Sequence, residues 1–418
     1  MSPGIRRALL AATALASSSI LACGGDKSVQ FGAVLPLSGN AQVYGQAIQR
    51  GVDLAVKQIP TMEGLPTTQI TVLTEDSGSN PEQAAEKLKQ VFQAGAIAAI
   101  GGVTSAEALA MVEVADEADR VLLSPSASSQ ELSGISRSFY RIFPSAEAEA
   151  VALSNHAVNS LLVKNVAILA DATAFGQSLA RNFQENYERA GGTVAEVLTF
   201  EPDTTDLGPL AQQIIDLERR TMGRGAEQPG FAVFVAAAGD DLANALRTLR
   251  SQGYQARILA SSALASVDVL RATGEAAEFV YFAQTPFDPA ADNEPMASFA
   301  AAYEAEYGEP PTFYAAHGYD AVMVFLQALR ESNSVSAIDF RHGMRAISDL
   351  QGVTGSIQFR ENGDVQRFMR VHLVSEGKPR DFEDYMTGRR QEILEQQKEL
   401  ERRRRELERR LQQGSGSS

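Results

Sequence analysis

The sequence predicts an α/β protein whose parallel sheets are covered by helices on both faces. Strand-like apolar runs alternate with helical periodicity, and the strand, helix, strand spacing repeats along most of the chain. At 418 residues, 44% hydrophobic and 21% charged, the chain suffices for two domains of ordinary size with real cores, which excludes wholesale disorder.

The first unit opens with a strand over 29–35, a turn at Ser38-Gly39-Asn40 and a helix over 44–59, where Ile48, Val52, Ala55, Val56 and Ile59 share one face. Further strands are expected over 69–74, 96–100, 121–123, 166–170, 193–200, 231–236, 257–260 and 279–283. Helices are expected over 81–93, 105–118, 175–190, 207–220 and 241–252. In such sheets ligands sit beyond the carboxyl ends of the strands, against helix N-termini. The loops at those ends, 36–43, 76–80, 101–105, 124–129, 171–175, 237–240 and 261–265, are rich in Ser, Gly and Asp and poor in Lys, Arg and His. That composition suits hydrogen bonding to a small polar ligand better than phosphate binding or acid–base chemistry.

Charge and cysteine usage remove several classes. The net charge is −15; the ends are basic, +2 over 1–22 and +3 over 389–418, so the stretch 23–388 carries −20. An acidic body repels polyanions, so no nucleic-acid partner is expected, and its field favours zwitterionic, neutral or cationic solutes. One Cys rules out intrachain disulfides and cysteine-based metal centres, and His156, His317, His342 and His372 show no metal-ligand spacing. The chain lacks a Gly-x-Ser-x-Gly elbow, a phosphate-binding loop and His-Glu-x-x-His, so no catalytic residue, cofactor or metal is expected. The carboxylate pair Glu75-Asp76 reads as loop and cap, because adjacent residues at a strand end point to opposite faces.

The two ends stand apart from the body. Arg6 and Arg7, the apolar run 8–16 and small residues up to 22 form a secretory signal, too short to remain as a spanning helix. Ile20-Leu21-Ala22-Cys23-Gly24 resembles the bacterial lipobox, which implies cleavage before Cys23 and acylation of its thiol, with 23–28 as a polar tether; a chance buried Cys is the alternative. At the other end, Glu399 with Arg403, Glu401 with Arg405 and Glu406 with Arg410 are four apart, so 389–418 reads as a solvated helical tail. Ile393, Leu400 and Leu407 recur every seven residues, but Gln396, Arg403 and Arg410 fill the second core position, leaving at most weak self-association or docking of a protein partner.

An ordered set of motifs carries a family resemblance over about 29–384. Val34-Leu35-Pro36-Leu37-Ser38-Gly39 is followed by Tyr44-Gly45, Ile100-Gly101-Gly102-Val103-Thr104-Ser105, Leu123-Ser124-Pro125-Ser126-Ala127-Ser128, Phe175-Gly176 and Ala316-His317-Gly318-Tyr319-Asp320. The set resembles the branched-chain amino-acid-binding receptors of ABC importers, the type I periplasmic binding fold. The resemblance implies two doubly wound lobes joined by three crossovers near Phe143, Pro286 and Leu350, with lobes over 29–143 plus 287–350 and 144–286 plus 351–385. It also implies a permease partner and an extracytoplasmic location. A regulator or scaffold of the same fold, docking a partner through the tail, is the alternative.

The resemblance further implies a pocket in which Ser105 and Ser128 offer hydroxyls, Ser126 and Ala127 backbone groups, and Tyr44 an aromatic wall. Ser126 and Ser128 could instead be turn or capping residues, and Tyr44 a core wall. Two departures matter. Phe175 stands where the family usually has a Tyr, and Ser262 where the amino-acid binders carry the acid that holds the ammonium group. A buried ammonium needs a carboxylate, so either Asp171, Asp240 or Asp241 substitutes, unless these only cap turns, or the ligand is an amide, a short-chain acid or an aromatic compound.

Overall fold

The computed structural model describes residues 28–222 and 230–414; the signal segment, Cys23 and its tether lie outside the described residues apart from Ser28. The first sheet consists of β1 (Val29–Leu35), β2 (Ile70–Asp76), β3 (Ala98–Gly101), β4 (Val121–Ser124) and β5 (Phe139–Arg141), all parallel, in the order β2-β1-β3-β4-β5. Its helices are α1 (Gln42–Gln58), α2 (Pro81–Gln93) and α3 (Ser105–Glu117). Alternation along β1 divides the core: Phe31, Ala33 and Leu35 join one layer, whereas Val34 joins the layer under α2 and α3.

After α4 (Ala146–Asn159) the second sheet repeats the same winding with β6 (Asn165–Asp171), β7 (Thr193–Phe200), β8 (Phe231–Ala236), β9 (Arg257–Ala260) and β10 (Val280–Gln284). α5 (Ala174–Arg189), α6 (Gly208–Met222), α7 (Gly239–Ser251) and α8 (Val267–Thr273) cover it. β8 is buried at every position, as a central strand with helices on both faces must be. The chain then returns to the first lobe through α9 (Met296–Tyr307), α10 (Phe313–Ser332) and α11 (Ala337–Ala346). α10 lies against α1, and glycines allow the approach: a Cβ at Gly51 would clash with the Ala315 carbonyl, and one at Gly318 with that of Ile48.

β11 (Leu350–Gly352) and β12 (Gly355–Ile357) form a hairpin, and β13 (Arg370–Ser375) and β14 (Lys378–Asp381) extend the second sheet antiparallel beside β10. Leu350, expected at a crossover, therefore begins a hairpin. That hairpin is tied to the first lobe, because Val353 and Thr354 donate their N–H groups to Asp320 of α10 at 2.8 and 2.9 Å. Asp364 still bridges to Arg141 of β5, and β13, which joins the second sheet, begins at Arg370. The chain ends in α12 (Phe382–Gly414), where Glu399–Arg403 and Glu401–Arg405 pair at 3.0 and 3.7 Å among exposed side chains; the Arg410 side chain lies outside the described residues.

β5 and β11–β14 were not legible as strands. β5, β11 and β12 have three residues each, too few to show a period of two, and β14 is largely polar.

Candidate functional site

Both sheets deliver their strand ends to one cavity of about 250 Å³. The first lobe contributes Asn40, Ala41 and Tyr44 after β1, Thr104 to Ala106 after β3, and Ser126 after β4. The second contributes Asp171, Thr173 and Phe175 after β6, Ala238 to Asp241 after β8, and Ser262 and Ala263 after β9. Helix starts explain the geometry. Thr104 forms a capping box with Glu107 at the head of α3, and Thr173 caps α5 by accepting the Gly176 N–H at 3.1 Å. Ala238 precedes α7 with no side-chain cap, so the Gly239 N–H is free to donate to Tyr44 Oη, across the cleft, at 2.8 Å.

The expected site residues separate into two groups. Tyr44, Ser105, Ser126, Phe175, Asp240 and Ser262 all reach the wall. Ser105 Oγ accepts the Ser129 N–H at 3.1 Å, which leaves its own hydrogen for a ligand. Ser126 instead spends its hydroxyl on the Val103 carbonyl at 2.7 Å. Ala127 and Ser128 are not part of the wall. The Ala127 N–H donates to Ser124 Oγ at 2.9 Å and the Ser128 carbonyl accepts from Ala146 at 2.6 Å, so these two backbone groups are already paired within the protein. Ser128 Oγ is buried without a partner among the described residues.

Of the three candidate aspartates, only Asp240 is exposed at the cavity with no partner among the described residues. Asp171 is buried and accepts from Thr173 N at 3.1 Å and from Thr173 Oγ1; burial raises its pKa. Asp241 accepts the Asp203 N–H at 3.0 Å, and burial, reinforced by the neighbouring aspartates, lifts its pKa to about 6. With Asp203, four carboxylates border the cavity, and its described lining contains no Lys, Arg or His. Glu75 and Asp76, expected as loop and cap, are instead the last two residues of β2: Asn80 caps α2, and the two acids tie the strand to α2 and to the loop after β1. Asp76 accepts from Leu37 N at 2.9 Å and Ser38 Oγ at 2.7 Å, and Glu75 pairs with Lys87 at 2.8 Å.

Sequence reasoning missed two residues. Tyr314 of α10 lies edge-on to Tyr44, ring centroids 4.9 Å apart, and completes the aromatic wall. Glu149 of α4 is fully buried; its Oε1 accepts from Ser262 N at 2.6 Å and its Oε2 bonds Ser262 Oγ at 2.7 Å. Burial raises its pKa to about 7 against the lowering effect of those two bonds. The signal for Glu149 was its place on the stripe Ala146, Ala150, Leu153, Ala157, where an acid interrupts an otherwise apolar face.

Relatives share this architecture. The chain is 22% identical to the Leu/Ile/Val-binding protein homolog 3 of Brucella melitensis, over 85% of this chain and 94% of that one. It is 21% identical to the leucine-, isoleucine-, valine-, threonine- and alanine-binding protein of Pseudomonas aeruginosa, over 86% and 93%. Among solved structures, a leucine binding protein from Thermotoga maritima superposes with a TM-score of 0.77 at 22% identity, covering 84% of this chain and 97% of that one. A solute binding protein of an ABC transporter from R. palustris, in complex with benzoate, gives 0.75 at 19% identity, covering 85% and 96%. The family model described as periplasmic binding protein matches residues 28–378, nearly the whole folded body, and the chain belongs to that family.

Proposed function

We propose that this protein is the extracytoplasmic solute receptor of an ABC importer, held to the membrane by lipid at Cys23, and that it closes its lobes around a small polar ligand for delivery to a permease. The observation that carries this reading is the cavity itself, walled by strand ends of both lobes and bridged by Tyr44 and Gly239. The lobe division we favour is 29–143 with 287–365, and 144–286 with 366–385. Its last boundary moves from 350 because the β11–β12 hairpin is bonded to α10.

The wall supports a ligand with two unlike ends. At the head of α3, the Ser105 hydroxyl and the first-turn N–H groups suit a carboxylate or carbonyl oxygen. Across the cleft, Asp240 and its neighbouring carboxylates suit an amine or amide N–H, and Phe175 stacks without donating. Amino acids and their amides meet both demands; the Pseudomonas relative's printed name is consistent with that class. Thermal-shift screening of amino acids, amides, organic acids and aromatic acids, followed by calorimetry, tests the reading. No shift with any class, and no closed form by small-angle scattering, would sink it. Continued membrane fractionation of Cys23→Ser would remove the lipid anchor from the proposal.

A further inference from the structure

Glu149 and Ser262 form a buried pair whose polarity is set by one proton. The Ser262 N–H can only donate, so Glu149 Oε1 is an acceptor in either state. The Oε2 to Oγ bond can run both ways. With Glu149 ionised, the Ser262 hydroxyl donates to it and only lone pairs of Oγ remain for the cavity. With Glu149 protonated, Oε2–H donates to Oγ and the Ser262 hydrogen is released toward the cavity. A group that lines no part of the cavity thus decides whether position 262 is an acceptor or a donor.

We infer that Ser262 acts as an acceptor when ligand is bound, that the ligand of the proposed receptor meets it with an ammonium group, and that Glu149 releases its proton to solvent as that group docks. This inference rests on the receptor reading. Two observations choose the direction. The described cavity wall holds four carboxylates and no cation, so a second anionic end would be repelled here. Glu149 itself has no cationic partner among the described residues, and an ammonium one hydroxyl away supplies the missing counter-charge. A carboxyl held at about 7 is poised for a small added field to remove its proton.

The groups around the pair leave it in control. Burial, with smaller contributions from Tyr44 and Glu149, pushes the phenol of Tyr314 of α10 well above its usual range, so it stays neutral. Along α4, His156 is neutral because burial lowers it to about 4, and Glu147 is exposed. α5 meets α4 through Leu179 and Phe183; its Arg181 is paired with Glu131, and the Tyr187 hydroxyl donates to the Val163 carbonyl at 3.0 Å. From β10 and β13, Tyr281 packs on His156, Arg370 pairs with Asp381 at 3.6 Å, and burial lowers His372. Asp171, Asp203, Asp240 and Asp241 face the cavity, and Asp241 titrates near enough, at about 6, to need its own control.

The test is calorimetry with L-leucine, and with amine-free 4-methylpentanoate and benzoate as comparison probes, from pH 6 to 8 in two buffers of different ionisation enthalpy. Leucine should bind about tenfold tighter at pH 8 than at pH 6, with proton release, because the binding-competent form requires one group of midpoint near 7 to be ionised. Glu149→Gln should remove most of that profile and most of the release, whereas Asp241→Asn, at a wall residue, should weaken binding at every pH and leave the midpoint near 7 and its proton release in place. Tighter binding of an amine-free probe than of leucine, no proton release, or an unchanged profile in Glu149→Gln would overturn the inference. Carbon-13 NMR of the Glu149 carboxyl in the ligand-free wild-type protein is independent of probe and variant: a midpoint near 7 is expected, and one below about 5 overturns the switch. If no probe binds while that carboxyl titrates as expected, the receptor reading for these compounds fails and the poised pair stands.

Discussion

Tyr44 Oη accepts the backbone N–H of Gly239 at 2.8 Å, a bond between residues 195 apart that joins α1 of one lobe to the head of α7 in the other. It satisfies a helix-start N–H that no side chain caps. Tyr44→Phe keeps the ring against Tyr314 but removes the acceptor. The closed arrangement should weaken by about 1 kcal/mol, the usual net value of such a bond. Spin-label distances across the cleft should show a larger open fraction, and an unchanged distribution would show that the bond does not hold the lobes together.

Arg141 is fully buried and pairs with Asp364 at 2.7 Å, its remaining donors going to the Ser129 carbonyl at 2.8 Å and Ser133 Oγ at 2.6 Å. Asp364→Asn leaves a buried guanidinium without its counter-ion. The expected loss is about 3–5 kcal/mol in urea denaturation. Loss within 1 kcal/mol would mean that the two neutral acceptors and solvent already suffice.

His317 donates Nδ1–H to the Phe313 carbonyl at 3.0 Å, while its Nε2 is buried without a partner among the described residues. Burial, reinforced by the charge of Arg367, lowers its pKa to about 3 from an ordinary 6.5. The unfolded chain therefore binds a proton below 6.5 that the folded chain refuses. Its contribution to stability is complete above 6.5 and is lost as pH falls toward 3, at up to about 1.4 kcal/mol per pH unit. His317→Phe, which keeps a ring between Phe143 and Phe313, should show a shallower fall of stability between pH 6 and 4; parallel curves would refute the assignment.

Asp240 has no partner among the described residues, so Asp240→Asn should leave the thermal midpoint of the ligand-free protein unchanged. Affinity for an amine-bearing ligand should drop severalfold at low ionic strength, with the difference shrinking in salt. A drop that is independent of salt would point to a direct contact rather than a field effect.

Removing 389–418 should change neither the thermal midpoint nor ligand affinity, because the ion pairs of α12 in that stretch join exposed neighbours on the same helix, each worth at most about 1 kcal/mol. An earlier elution volume for the full chain than its length requires, lost on truncation, would instead identify α12 as a self-association helix.

Residue spacing by itself determined the alternation of strands and helices, the parallel winding and the seven strand-end loops, because periodicity and turn chemistry are local properties. The exact limits of 193–200, 231–236 and 257–260 were legible for that reason. Tertiary structure alone decided which residues of those loops face the ligand. Ser126 and Ser128 read alike, yet only Ser126 reaches the wall, and the Ala127 N–H and the Ser128 carbonyl are paired elsewhere in the protein. Glu147 and Glu149 stand two apart on α4, yet only Glu149 meets Ser262, 113 residues away. Such partners are chosen by the packing of α4 against α5, β10 and β13, and the charge at the end of the cavity follows from that packing rather than from any local pattern.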